Sequence, residues 1–256
     1  MNTNYTTPDQ AAFIRLLDKG KIFSNRDLSN IEWQDIRAED LEFENCFFHE
    51  VDFSGTELVR CTLNNCTFIR SRFFNANLDH SRFISCNFYD SDQGMGCDFS
   101  YAHLEECTFE DSNITLSKFE RAELYGIRIK KCRVLGAIFR YANFPRILSN
   151  TIRLNDTEIL DSDLSDADFE GCYLAEANFS GSKLNRVNFY RTNLTDTDLS
   201  WCELFNVDWE DAVIEGADLR QSSFNNIDIR ATSVKGLKIS VDQQPMLLEV
   251  LGVEIE

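Results

Sequence analysis

Nine cysteines are the residues of this chain best equipped for chemistry, since a thiolate is both a nucleophile and a ligand for soft metals. They stand at Cys46, Cys61, Cys66, Cys86, Cys97, Cys107, Cys132, Cys172 and Cys202. Nowhere do they take the CxxC spacing of a zinc or redox pair. Each lies instead two residues before a large apolar residue, as Cys46 before Phe48 and Cys107 before Phe109. One shared small slot is a packing position, and it predicts buried, reduced thiols. His49, His80 and His103 fall at outward positions of the same pattern. Asp and Glu number 43, but no pair is set apart by spacing as an acid–base dyad. There is no phosphate-cradling glycine loop and no nucleophile elbow. These residues predict no enzyme, no cofactor and no metal site.

The elements that position them follow a beat of five. From Phe48 the apolar residues run Phe53, Leu58, Leu63, Phe68, Phe73, Leu78, Phe83 and Phe88. The count resumes at Phe99 and continues to Ile239. Extended back to Leu28 it gives forty-two centres, all apolar except Ser149, and holds sixteen of the 21 phenylalanines. A period of five suits neither the 3.6-residue helix nor the two-residue strand. It suits a chain that turns a corner every five residues, with one large and one small side chain pointing inward per side. Four sides close a square coil of about twenty residues, and coils stack at about 4.8 Å, the spacing of hydrogen-bonded strands. The expected fold is all-β, a quadrilateral parallel β-helix about 50 Å long, with its ends capped. Residues 1–27 form the N-terminal helix and cap, 28–240 the β-helix, and 241–256 a C-terminal helix. Thr7 is the expected N-cap of the first helix, with Gln10 its capping-box partner and Gly20 its stop. Asp242 and Gly252 are the expected cap and stop of the second.

With 25 basic residues against the 43 acidic ones, the formal charge is −18, which argues against direct binding to nucleic acid or an anionic membrane. No apolar stretch approaches a membrane span, and the first ten residues lack the layout of a secretory signal. A cytoplasmic location is expected. The charge has two readings: solubility for a stacked sheet with open ends, or imitation of a polyanion.

"ADFEG", "ANFSG", "TNLTD" and "ADLRQ" resemble the pentapeptide-repeat motif, whose family forms right-handed quadrilateral β-helices. Residues 96–127 and the tail "VKGLKISVDQQPMLLEVLGVEIE" (234–256) resemble the quinolone-resistance (Qnr) branch. That resemblance implies a cytoplasmic homodimer joined through its C-terminal ends. It further implies a DNA-like rod that binds DNA gyrase and topoisomerase IV, opposes quinolones and carries two functional loops.

Two interruptions match those loops. Between Phe88 and Phe99 the gap is eleven residues, and Ser91, Asp92, Gln93, Gly94, Met95 and Gly96 replace one side of a coil. The second is 145–153, where Pro145, Arg146, Ile147, Leu148, Ser149 and Asn150 disturb the pattern. Residues 94 and 149 are expected about 2.75 turns, or roughly 13 Å, apart on adjacent sides. Both are expected to touch a partner; the bland alternative is neutral insertion at a corner. Surplus apolar residues at the far end, Met246, Leu247, Leu248, Val250, Leu251 and Val253, would join Phe224, Ile229, Val234 and Ile239 in a two-fold dimer interface. The leading function is a topoisomerase-binding DNA mimic; the alternative is an interaction scaffold with another partner.

Overall fold

The computed structural model describes residues 5–34, 36–149, 152–249 and 251–253. Within them a right-handed quadrilateral β-helix runs between two short helices. Each centre sits above the centre twenty residues earlier: Phe43 pairs with Leu63, Phe48 with Phe68 and Ala38 with Leu58, all in parallel. Four sides result. Side one carries Phe48, Phe68 and Phe88; side two Phe53, Phe73 and Phe99; side three Leu58, Leu78 and Leu104; side four Leu63, Phe83 and Phe109. On side four the short strands merge into a seven-stranded parallel sheet from Ile22–Ser24 to Glu158–Leu160.

The inward centres close a dry core. On side two the rings of Trp33, Phe53, Phe73, Phe99, Phe119, Phe139, Phe169, Phe189 and Trp209 form one ladder, with centroids 4.5 to 5.7 Å apart. The cysteine slot has a second logic besides size. Cys107 Sγ donates to the Leu78 carbonyl at 2.9 Å and Cys172 Sγ to Phe139 at 3.0 Å; Ser182 and Thr192 hydroxyls do the same to Ile159 and Phe169. The slot wants a small side chain, and a donor on that side chain often bonds a carbonyl of the preceding coil; Ala102, Ala122 and Ala177 fill it without one. Burial pushes the Cys61 thiol up to about 11 and those of Cys97, Cys132, Cys172 and Cys202 to about 12. These sulfurs stay protonated and are not nucleophiles.

Most corners are made by a residue with positive φ. Asn65, Arg121 and Asp196 are examples, at 50°, 55° and 55°. At many sides an Asn or Asp precedes the centre and its Oδ1 accepts the N–H two residues on, as Asp52 does for Ser54 at 2.9 Å and Asn193 for Thr195 at 2.9 Å.

The stacking register corrects the count of centres. Phe83 pairs with Phe109, twenty-six residues on, and Ile129 with Ile159, thirty residues on. The first interruption is thus an insertion of six residues, 91–96, and replaces no side: Phe99 follows Phe88 as the next centre. The second is an insertion of ten residues, 147–156. Ser149 and Leu154 are not centres at all, and both are exposed. Ten residues are two whole beats, so this insertion left the phase of the pattern unchanged.

The caps also differ from expectation. Helix α1 (Gln10–Lys19) is capped by Asp9, whose carboxylate accepts the Ala12 N–H at 2.7 Å, and not by Thr7. Gln10 serves the first coil instead, bonding the Glu32 carbonyl at 3.0 Å and its N–H at 2.9 Å. Phe13 is fully buried against Phe23 and Trp33. At the other end a 3-10 turn (Val241–Gln243) precedes α2 (Gln244–Glu249), and the cap is Ser240 in a box with Gln243, not Asp242. Gln243 is buried and its amide donates to the Leu219 and Ser222 carbonyls at 2.7 and 2.6 Å, closing the last coil.

Candidate functional site

The two insertions leave the rod at corners where the residue does not turn left-handed. Asp90 and Arg146 hold those corners without positive φ, so the chain runs straight out as a strand. Tyr89–Asp90 pairs antiparallel with Met95–Gly96, making a tight hairpin. Asp90 is buried and organises it: Oδ1 accepts the Asp92 N–H at 3.0 Å and the Gln93 N–H at 3.3 Å, while Oδ2 lies 3.4 Å from Arg70. Arg70 in turn meets Glu50 at 2.9 Å and His49 at 2.6 Å. Gly94 turns the hairpin at φ 64°. Gly96 presses on the next coil so closely that a Cβ there would lie 2.3 Å from the Leu116 carbonyl carbon. Ser91, Asp92, Gln93, Gly94 and Met95 are exposed and Gly96 is half-buried. The anchors Asp90 and Arg70 were not singled out by sequence; both obey the repeat, so nothing in the pattern marks them.

The second hairpin pairs Arg146–Ile147 with Arg153–Leu154. Its foot is pinned on side three: Arg146 bonds Glu105 at 2.7 Å and lies 4.0 Å over the Tyr125 ring. Arg153 stacks over Tyr173 at 4.8 Å. Ser149 Oγ accepts the Ile152 N–H at 3.1 Å. Ile147, Leu148, Ile152 and Leu154 are exposed, so this hairpin presents aliphatic surface. Pro145, expected among the contact residues, is buried. Asn150 lies outside the described residues.

Ten corners separate the two insertions, which is 2.5 turns or about 12 Å along the axis. The first sits between sides one and two, the second between sides three and four. They occupy diagonally opposite corners, not adjacent sides, and sides two and three lie between them.

Those two sides carry the negative excess. With each corner residue counted with the side before it, the described part of side three holds Glu39, Asp40, Glu57, Asp79, Glu105, Glu106, Glu123, Glu176, Asp196 and Glu215 against Arg37, Arg60, Arg146 and Lys235. On side two Glu32, Asp52, Asp98, Glu120, Asp168, Glu170, Asp208, Glu210, Asp211 and Asp228 outnumber Arg72, Lys118, Arg121, Arg140, Arg191 and Arg230. Sides one and four are nearly balanced. Burial and the neighbouring Glu105 charge hold the Asp79 carboxyl above the ordinary range, against the Glu105 N–H that it accepts at 2.8 Å.

At the C-terminal end Phe224 is buried, while Ile229, Val234, Ile239 and, from α2, Leu247 are half-buried against the core. Leu248 is half-buried; Met246, Leu251 and Val253 are exposed, as is Val241. Val250 lies outside the described residues. A cavity of about 610 Å³ opens between 206–212 and 226–232, where the last coil has left the ladder.

Among protein families, that described as Pentapeptide repeats matches residues 95–130 and 162–200; the interval between the two holds the second hairpin. The SV2A/B/C luminal domain family matches residues 15–93. The quinolone resistance pentapeptide repeat protein QnrB96 of Scandinavium goeteborgense is 31% identical over 134 residues, 52% of this chain and 53% of that protein. The pentapeptide repeat protein QnrB4 of Escherichia coli is 31% identical over 117 residues, 46% of this chain and 52% of its own. Full-length QnrB1, a plasmid-mediated fluoroquinolone resistance protein, superposes with a TM-score of 0.68 at 27% identity, covering 85% of this chain and 100% of its own. A trypsin-treated QnrB1 variant gives 0.67 at 28% identity, with 82% and 98% covered. The chain carries pentapeptide repeats and folds like the Qnr proteins.

In sequence the chain spans about half the length of the curated relatives it matches. In three dimensions it spans the whole QnrB1 rod, with residues of its own left over. Among the described residues no helix is long and apolar enough to cross a membrane.

Proposed function

We propose that this protein is a DNA-mimicking rod that binds type II topoisomerases, DNA gyrase and topoisomerase IV, in the cytoplasm and protects them against quinolones. One observation carries the reading: the negative excess lies on the two sides between the hairpins, and the fold does not require it there. The turn that Asp52, Asp98, Asp168, Asp208 and Asp228 make on side two is made by neutral Asn188 on the same side. An amide oxygen suffices for the turn, so the negative charge is surplus to it; Asp98, Asp168 and Asp228 meet Arg72, Arg140 and Arg230, while Asp52 and Asp208 make no ion pair among the described residues and can face a basic partner. Two rods joined through residues 224–253 would span about 100 Å, close to thirty base pairs at about 3.4 Å each. Supercoiling by purified gyrase and decatenation by topoisomerase IV, titrated with a quinolone, test the proposal. Added protein is expected to raise the drug concentration that inhibits half the activity, and deletion of 91–96 or 147–156 to abolish that shift. An unchanged drug response and no binding to either enzyme would refute it.

The basic residues Arg72, Lys118 and Arg140 on side two favour a second reading, an interaction scaffold for another protein. A uniform DNA mimic has no use for them.

A further inference from the structure

The two hairpins are related by a pseudo-two-fold axis. Ten corners separate them, so the fifth, at Arg121, stands midway, on the edge where sides two and three meet. A half-turn about an axis through that corner, perpendicular to the rod, exchanges sides two and three and brings one insertion corner onto the other. The same operation exchanges Tyr101 and Tyr141, the first corners of that edge on either side of Arg121.

These corner residues are unusual for the position. A left-handed φ favours Gly, Asn and Asp, and costs about 1–2 kcal/mol for a bulky side chain. Among the described residues, a phenol or indole ring occupies a left-handed corner only at Tyr101, Tyr141 and Trp201. Two of those three flank Arg121 symmetrically. All three ridge residues are exposed, and both rings are held from behind. Tyr101 contacts Phe74 at 5.4 Å. Tyr141 donates to Glu170 at 2.7 Å and lies over Gly171, where a Cβ would meet the ring at 2.5 Å. Arg121 lies 5.4 Å over the Tyr141 ring, on an otherwise acidic rod. Rigid tyrosines around an arginine are the composition of an interface centre.

We infer that the Tyr101–Arg121–Tyr141 ridge is the central contact of the partner surface and that both hairpins embrace the same partner molecule from this edge. The partner it fits is a protein that seats two aromatic rings and offers a carboxylate between them to Arg121. This rests on the topoisomerase reading and names the face that docks. Sides one and four, behind the ridge, stay free.

The test replaces the ridge by the residue most at home at such corners. The variant Tyr101→Asn/Arg121→Asn/Tyr141→Asn is compared with Asp111→Asn/Lys131→Asn on the opposite edge, whose two sites are equally symmetric about the same level. Affinity for intact gyrase and topoisomerase IV is measured by biolayer interferometry, with thermal unfolding as the folding check. Binding by the ridge variant is expected to fall at least tenfold and that of the control to stay within twofold, both with an unchanged unfolding transition. Ridge-variant binding within twofold of the original, or an equal loss in the control, would overturn the inference while leaving the topoisomerase reading in place. Failure of the unaltered chain to bind either enzyme would remove both.

Discussion

Cutting out the second hairpin at two different pairs of points separates the stacking register from the apparent sequence pattern. Removing the ten residues 147–156 joins Arg146 to Thr157 and leaves Ile159 five residues after Phe144, the ordinary step. Arg146 must then adopt a left-handed φ, which Arg60, Arg70 and Arg186 already do at 56°, 52° and 59°. What is lost is small. The exposed Arg128–Asp156 pair at 3.0 Å is worth about 0–1 kcal/mol. The Arg153–Tyr173 stack adds about 0.5–1 kcal/mol, and the Asn155 bond to the Thr157 N–H at 3.1 Å about 0.5–1.5 kcal/mol. Shortening the loop returns something like 1 kcal/mol of closure entropy, so stability should change by less than about 2 kcal/mol. Removing the nine residues 145–153 instead leaves six residues from Phe144 to Ile159. The chain must then bulge, orphaning a buried ladder group at about 1–3 kcal/mol, or slip by one and turn Glu158 inward, costing several kcal/mol for the unpaired charge. Urea unfolding followed by circular dichroism should place the nine-residue deletion about 1–3 kcal/mol below the ten-residue one, the cost of the cheaper route, the bulge. Equal stabilities would refute the register.

Three further outcomes follow from particular residues. Phe169 is fully buried between Phe139 and Phe189 at 4.7 and 5.7 Å, so Phe169→Ala should cost about 3–5 kcal/mol in the same assay; a loss under 1 kcal/mol would contradict the ladder. Because the Asp79 carboxyl is raised in the fold, the folded chain holds its proton more tightly than the unfolded chain. Stability contributed by this group is present below the ordinary Asp value of about 3.9 and is lost as pH rises through the raised one. Asp79→Asn keeps an oxygen for the Glu105 N–H and should be the more stable protein at pH 7, with the gap closing towards pH 4; a gap independent of pH would show that ionisation is not its cause. Sedimentation of the intact chain at micromolar concentration should give twice the 29.5 kDa mass, and the chain lacking 241–256 the monomer mass; an intact monomer would rule out the C-terminal interface.

The coil, its inward centres and the burial of all nine cysteines were legible in the sequence, because a square cross-section admits one large and one small side chain per side and every violation would be buried. The lengths of the insertions were not equally legible. Six residues shift the phase of a five-residue beat by one, and the break at 91–96 showed. Ten leave it intact, and Leu154, apolar by coincidence, posed as a centre. Helix ends misled for a related reason. Thr7, Asp9, Ser240 and Asp242 are all good caps, and only the position of the coil beneath chooses between them. Gln10 and Gln243 took roles on the first and last coils that no local pattern announces.

The ridge was beyond sequence for a third reason. Tyr101, Arg121 and Tyr141 are twenty residues apart, an interval at which every residue has a counterpart, so their spacing carries no signal. Their meaning depends on which corner they share, and that depends on how many residues the insertions remove from the count. The fifty residues from 97 to 146 make ten beats of five between the two insertions, so the corners at Asp90 and Arg146 stand symmetrically about Arg121. A solenoid grows by translation and has no such symmetry of its own. Its presence at the protrusions, on the edge that joins the two acidic sides, is what a partner gripping the rod from one edge would require of the chain.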